Sequence, residues 1–341
     1  MKKIGLYIFS LAMLAIYALS LDRSFMGWWA DFRTYTLHAP FTRARYGDLY
    51  SNSYLPGYMD TAYIPLREYQ TKNGQTDLYI LHDSYLANKV KRENFAGVNK
   101  LVTADYRDDN KYFSLDTSRI NILIIECSER TAEWRITDTL TSFSRIKIGN
   151  APKVAQLPSI RSESNIADHF FNPNINQNLE FSLYDYEWFR PIKETKAQIN
   201  FSLFDRTPKD VFVSTDKHYL LLGETVDPAL TPSSFRTLDP GYENWVVHMM
   251  NVIYDHFRKS GFDEVYFSII PNPVTIVDQK RMPYNHKIEE LEKNPALYAP
   301  CISLYFPFKN SYERIYRRDD SHWNGLGLQL WINEVNKRLE P

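Results

Sequence analysis

Apolar positions along the chain fall into three kinds of run. The first is an uncharged stretch over residues 4–21, preceded by Lys2 and Lys3 and closed by Asp22 and Arg23. At about 1.5 Å per helical residue it reaches the short limit for crossing a hydrocarbon layer. Basic residues ahead of such a run keep that end in the cytoplasm and put the body outside. Two readings of residues 1–23 stand. One is an uncleaved membrane anchor, which the length of the run favours. The other is a removable signal peptide with Ala18, Leu19 and Ser20 at its cleavage site. Either places the body in a periplasm or on an outer surface.

The second kind is the short continuous run. Residues 77–81, 100–104, 121–127 and 264–270 read as strands. The run from Asn121 to Cys127 is apolar and β-branched enough for a strand covered on both faces of a parallel sheet. The first strand leads into a turn carrying Ser84, and residues 86–94 then read as a helix with Leu86 and Val90 on one face. Two further short strands, 210–214 and 218–222, flank a turn at Thr215, Asp216 and Lys217.

The third kind has helical spacing. Val246, Met249, Met250, Ile253 and Phe257 mark an amphipathic helix over 245–259, with Gly261 as its C-cap. Leu328, Leu330, Trp331, Val335 and Leu339 mark another over 325–339. Residues 184–204 read as a helix broken near Pro191. Residues 24–75, rich in Tyr, Arg and Pro, read as an irregular segment. A polar stretch around Asn172, Pro173 and Asn174 reads as part of an insertion over about 150–207. Strand–helix–strand order with buried runs predicts an α/β domain over 24–341: a doubly wound, mostly parallel sheet flanked by helices.

Composition narrows the function classes. The 341 residues include 40 Lys and Arg against 41 Asp and Glu, a net charge of −1. That balance speaks against a nucleic-acid binder or a polybasic membrane-surface protein. Aromatic residues make up 15% of the chain, including 24 Tyr and 7 Trp, which suits a carbohydrate handler because such rings pack on sugar faces. Cys127 and Cys301 make neither a disulfide framework nor a zinc site. Only 12 glycines occur, and no glycine-rich phosphate loop is among them.

Two segments carry candidate chemistry. The first is His82, Asp83, Ser84 and Tyr85 at the end of a strand. A serine there exposes its hydroxyl at the carboxyl edge of the sheet, and the amides of Ser84 and Tyr85 are oxyanion candidates at the start of a following helix. The second is the run from Arg317 to Gly325, with Asp319, Asp320, Ser321, His322, Trp323 and Asn324 within it, ahead of the last helix. One residue separates Asp320 from His322, so a turn can set the carboxylate on one ring nitrogen and leave the other to take a proton from a serine. The other histidines lack such company: His248 and His256 share a helix without a carboxylate at ligand spacing, and His38, His169, His218 and His286 are isolated.

Together the two segments have the chain order of the SGNH (GDSL-type) hydrolases, which the chain resembles. It is also similar to the periplasmic alginate O-acetyltransferase family of SGNH proteins, in short blocks scattered through residues 45–340. Leu81 to Tyr85 resembles that family's nucleophile turn, and Ile124 to Arg130 its strand ending in Glu-Arg. Val211 to Gly223 and Ile269 to Ile276 resemble two further blocks, and Asp320 to Trp323 the Asp-x-His-Trp motif. There are departures. The serine half precedes the Asp-x-His half, His82 replaces a glycine, and Pro273 replaces a lysine.

The resemblance implies a Ser84–His322–Asp320 triad acting on acyl esters of a cell-envelope or exported polysaccharide. Acyl groups pass to a sugar hydroxyl in a transferase or to water in an esterase, without metal or organic cofactor. It further implies a polysaccharide acceptor and a membrane-bound acyltransferase as acyl donor. Asn272 is a second oxyanion candidate by position, or else a turn residue between two prolines. Arg130 contacts the site or a carboxylate beneath it. Asp83 and Trp323 complete the candidates. The rival from another class is a non-catalytic scaffold that binds glycan through its aromatics. The two part on whether Ser84 and His322 meet.

Overall fold

A computed structural model describes residues 2–38, 46–69, 74–106, 111–137, 146–149 and 175–339. The part of the expected insertion around Asn172, Pro173 and Asn174, together with His169, lies outside the described residues. The chain divides into two compact units, one of residues 1–59 with 154–207, the other of residues 60–153 with 208–341.

The first unit is helical among its described residues. Its leading helix, Lys2–Leu21, is long and apolar enough to cross a membrane: Lys3–Leu21 has mean hydropathy 2.1, and only 11% of it is buried. Asp22 ends the run and caps the next helix, Arg23–Asp31, by accepting the amides of Ser24 and Phe25 at 2.7 and 3.0 Å. The leading helix packs on a helix at Ile175–Leu183, where Asn178 donates to the Ser20 carbonyl at 2.8 Å. Pro191 stands in the first turn of a separate helix, Arg190–Phe204, instead of breaking a longer one. Its missing N–H costs nothing there, because first-turn amides have no helical partner. Residues 24–59, read from the sequence as part of the α/β domain, thus belong with 154–207.

The second unit is α/β. Its strands in chain order are β1 (Thr76–His82), β2 (Val98–Asp105), β3 (Lys111–Phe113), β4 (Ile120–Ser128), β5 (Ile146–Ile148), β6 (Val211–Val213), β7 (Leu220–Leu222) and β8 (Glu264–Ile270). Four of them form a parallel sheet ordered β2-β1-β4-β8. Ile80 on β1 is opposite Thr103 and Ile124, and Ile124 is opposite Tyr266. β3 pairs with β5, and β6 forms an antiparallel hairpin with β7 around the turn expected there.

Alternation along β1 and β4 feeds two cores. Tyr79, Leu81, Leu123 and Ile125 face one side, against the helix Tyr242–Lys259 with its buried Val246, Met250, Ile253 and Phe257. Leu78, Ile80, Ile122 and Ile124 face the other, with Leu328, Trp331 and Val335 of the helix Gly325–Leu339. Each such side chain contributes roughly 1.5–3 kcal/mol by leaving water. Trp331 is fully buried and still satisfies its indole N–H, which donates to Ser268 Oγ at 3.0 Å.

One expected element is absent. Residues 86–94 form no α-helix; turns follow β1, then a short 3-10 helix at Arg92–Asn94. Asn88 adopts a left-handed conformation with φ +54°, which ends the first turn. Asn94 Oδ1 then takes the Lys91 amide at 2.8 Å. Leu86 and Val90 still pack inward, so their spacing reported burial but not helix.

Candidate active site

The sheet order fixes where a site can form. The chain leaves β1 toward β2 on one side and returns as β4 on the other, so the direction of winding reverses between β1 and β4. The crevice beyond the carboxyl ends of two such strands is the usual ligand position in an open α/β sheet. Asp83 and Ser84 follow β1 directly, at that crevice.

Asp83 is buried and ties the two strand ends together. Its amide donates to Glu126 Oε2 at 3.0 Å, and its Oδ2 accepts the Ser128 amide at 3.0 Å. Its Oδ1 accepts the Tyr85 amide at 2.8 Å, which closes the turn around Ser84. The half-buried Ser84 hydroxyl points out of that turn. His82 is buried, with Nδ1 at 2.8 Å from the Asp83 carbonyl.

The second segment is a closed loop. Tyr316 and Trp323 pair as an antiparallel bridge, and the Arg317 amide donates to the His322 carbonyl at 3.2 Å. Asp320 Oδ1 lies 2.6 Å from His322 Nδ1 and also accepts the His322 amide at 3.0 Å. Burial alone would push the Asp320 carboxyl up. The bond to His322 and the neighbouring His322 and Arg317 outweigh it and hold the group below the usual carboxylate range. Asp319, one residue earlier, is fully buried and points elsewhere. It takes Arg317 Nε at 3.0 Å and the Asp60 amide at 3.1 Å.

The segments meet although 238 positions separate them: Ser84 Oγ is 2.8 Å from His322 Nε2. Tyr85 latches them together. Its hydroxyl donates to the Ser321 carbonyl at 2.7 Å, and its carbonyl accepts Trp323 Nε1 at 3.2 Å. Its ring lies 4.6 Å from the His322 ring and 5.3 Å, edge on, from that of Trp323. Arg130 stands over the same ring, its Cζ 5.5 Å from the centroid. Asn324 then caps the last helix through Leu326 and Gly327 amides at 2.9 and 3.1 Å.

Two oxyanion candidates need correction. The Tyr85 amide starts no helix, and it is already given to Asp83 Oδ1. The Asn272 side chain is buried and donates to Ser234 Oγ at 3.0 Å, while its amide donates to Glu129 Oε2 at 2.8 Å. It is a turn residue opening the short helix Pro273–Val277. Among the described residues the Ser84 amide meets no acceptor, so this donor of the expected set stays available.

Sequence reasoning passed over Glu126. It is fully buried in β4, behind the Ser84 turn, and burial followed by the nearby Asp83 carboxyl pushes its own carboxyl well above the usual range. The signal was present: one carboxylate directly after the apolar run Ile122–Ile125, one residue before Cys127. It gave no role to Arg317, which holds Asp319 and stands 3.9 Å from Asp320. No family model, curated protein or solved structure matches the chain.

Proposed function

We propose that the protein is an exported, serine-dependent acyl-ester enzyme of SGNH type, an O-acetyltransferase or acetylesterase acting on a cell-envelope or exported polysaccharide. The observation that carries this reading is the chain of contacts from Ser84 Oγ to His322 Nε2 at 2.8 Å and from His322 Nδ1 to Asp320 at 2.6 Å. A glycan scaffold has no need of that alignment, and the same contacts weigh against the scaffold reading. The place of Ser84 at the winding reversal of a parallel sheet supports it further.

In this mechanism the Ser84 oxygen attacks the ester carbonyl while its proton passes to His322 Nε2. Asp320 holds the ring tautomer and stabilises the imidazolium. The carbonyl oxygen, now an anion, accepts the Ser84 amide. Collapse breaks the bond to the alcohol oxygen, which leaves with the proton from His322, and Ser84 is acylated. A second alcohol or water then gives its proton to His322 and attacks the acyl-serine. Transfer of that oxygen onto the acyl carbon frees Ser84, which recovers the proton. A sugar hydroxyl in the second step makes a transferase, and water makes an esterase.

A span at the N-terminus fits this chemistry. Outside the cytoplasm no acetyl-CoA is at hand, so a transferase there takes its acyl groups from a membrane-bound acyltransferase partner. The deciding experiment is labelling by a fluorophosphonate probe in wild type, Ser84→Ala and His322→Ala. It is followed by acetyl-ester turnover with and without a glycan acceptor. Labelling of wild type alone is expected. Equal labelling of Ser84→Ala would sink the proposal, and hydrolysis without acylated sugar would leave the esterase form.

A further inference from the structure

β4 alternates between the two cores, and Glu126 falls by that period on the side of Ile122 and Ile124. An apolar residue would satisfy that position. Instead a carboxyl with no exposure is placed there, and it has specific company. Its Oε2 accepts the Asp83 amide at 3.0 Å, and its Oε1 has no hydrogen-bond partner. The Asp83 carboxyl is fixed opposite by the Ser128 and Tyr85 amides.

We infer that Glu126 is a positioning residue: as a buried acid it clamps the Asp83 amide and so sets the Ser84 hydroxyl on the His322 ring. This rests on Ser84 being the nucleophile. Ser84 is the next residue after Asp83, so a turn released at the Asp83 amide swings the hydroxyl off His322 directly. The titratable groups within electrostatic reach of Glu126 are Asp83 and Lys89 and, from the other core, Tyr106 and Cys127. Lys89 counters Asp83 only in part, and its Nζ is 3.5 Å from the Ser84 carbonyl. Burial first, and then the Asp83 carboxyl alongside, push the Glu126 carboxyl well above the usual range and favour its protonated form. Ionising it places two anions side by side behind the nucleophile turn and opens the turn.

The protonated acid has a close neutral mimic. In Glu126→Gln the amide oxygen accepts from Asp83 and the NH2 faces the Asp83 carboxyl. Glu126→Leu removes both. The fluorophosphonate labelling rate of wild type and both variants is followed from pH 6 to 10, with thermal melts of the same samples. Glu126→Gln at pH 7 is expected within about threefold of wild type, since its bonds survive. Glu126→Leu is expected to be about 10- to 100-fold slower, the cost of a misplaced nucleophile. At the alkaline end the wild-type rate falls and the Glu126→Gln rate stays level.

Folding linkage has a definite sign here. The folded state holds a proton that the unfolded state has lost, so wild-type stability falls relative to Glu126→Gln as pH rises from the ordinary carboxylate range to the raised value. Parallel rate profiles, or Glu126→Leu labelling as fast as wild type, would overturn the clamp. If Glu126→Leu does not fold, the Gln comparison alone decides. If folded wild type is not labelled at all, the nucleophile reading has failed. The melts then decide for the clamp itself: convergence of wild type toward or below Glu126→Gln with pH supports it, and parallel melts refute it.

Discussion

Asp320 and His322 are bound twice through one oxygen: Asp320 Oδ1 holds the ring Nδ1 at 2.6 Å and the backbone amide of the same histidine at 3.0 Å. The carboxylate therefore fixes both the loop that carries the ring and the ring's own tautomer. Its neighbour Asp319 does neither, being spent on Arg317 and on the Asp60 amide.

The two adjacent aspartates should separate cleanly in mutants. Asp320→Asn keeps the shape but presents an N–H where the ring needs an acceptor, so serine-probe labelling should drop on the order of 10³–10⁴-fold with little unfolding. Asp319→Asn should leave labelling per folded molecule near wild type. It weakens a pair buried on the aspartate side and so costs about 1–3 kcal/mol of stability. Labelling and denaturant melts on the same samples check both halves. The opposite ranking would reassign the orienting carboxylate.

Acid should act through Asp320. Its folded-state carboxyl lies below the ordinary range, so its contribution to stability is complete above the ordinary carboxylate value of about 3.9 and is lost as pH falls from there toward the depressed value. Wild type is thus expected to lose stability more steeply than Asp320→Asn over that window. The measured quantity is the difference between their melts, because other carboxylates titrate in both. A difference independent of pH would mean that the His322 bond contributes nothing to folding.

Much of this unit was legible because its residues are local reporters. The run from Glu264 to Ile270 and the spacing from Gly325 to Leu339 match their elements at both ends. The meeting of Ser84, His322 and Asp320 was legible because Asp320 and His322 are near neighbours, and because Ser84 follows a strand. What failed depended on partners that hydrophobic patterning does not report, whether two residues away or many. The Tyr85 amide looked free until Asp83 was seen to take it, and Asn272 until Ser234 did. The helical unit was hidden for the same reason: Ser20 and Asn178 are 158 positions apart, and neither carries a periodic signal for the other.

Gly327, in the first turn of the helix Gly325–Leu339, can be tested directly. A Cβ there would come 2.5 Å from the Ile315 carbonyl oxygen and 2.8 Å from Trp323 Cβ. Neither neighbour is a flexible end. Gly327→Ala is therefore expected to displace the Tyr316–Trp323 bridge, lowering stability by about 1–3 kcal/mol and slowing labelling of Ser84 through the shifted His322. Gly5 has open space around it, and Gly5→Ala serves as the control expected to leave both unchanged. A Gly327→Ala protein that melts and labels like wild type would show that the loop has room the geometry denies.

The leading helix should determine where the protein resides. Lys3–Leu21 has the length and mean hydropathy of a span and is mostly exposed, as a lipid-facing helix would be. Leu11 lies near its middle with 66% exposure, so a charge there meets hydrocarbon directly if the helix spans. Leu11→Arg costs about 2.5–3.5 kcal/mol of insertion at mid-span, enough to shift most of the protein out of the membrane. Fractionation with carbonate extraction should find wild type in the membrane pellet and Leu11→Arg depleted from it. The mass of the wild-type chain then separates the two readings of residues 1–23: an intact N-terminus means an anchor, and loss of that segment means a cleaved signal. Equal recovery of both proteins in the soluble fraction, uncleaved, would remove the span and with it the reason for a membrane-bound acyl donor. Labelling of Ser84 should persist even then, because the triad lies wholly within the α/β unit.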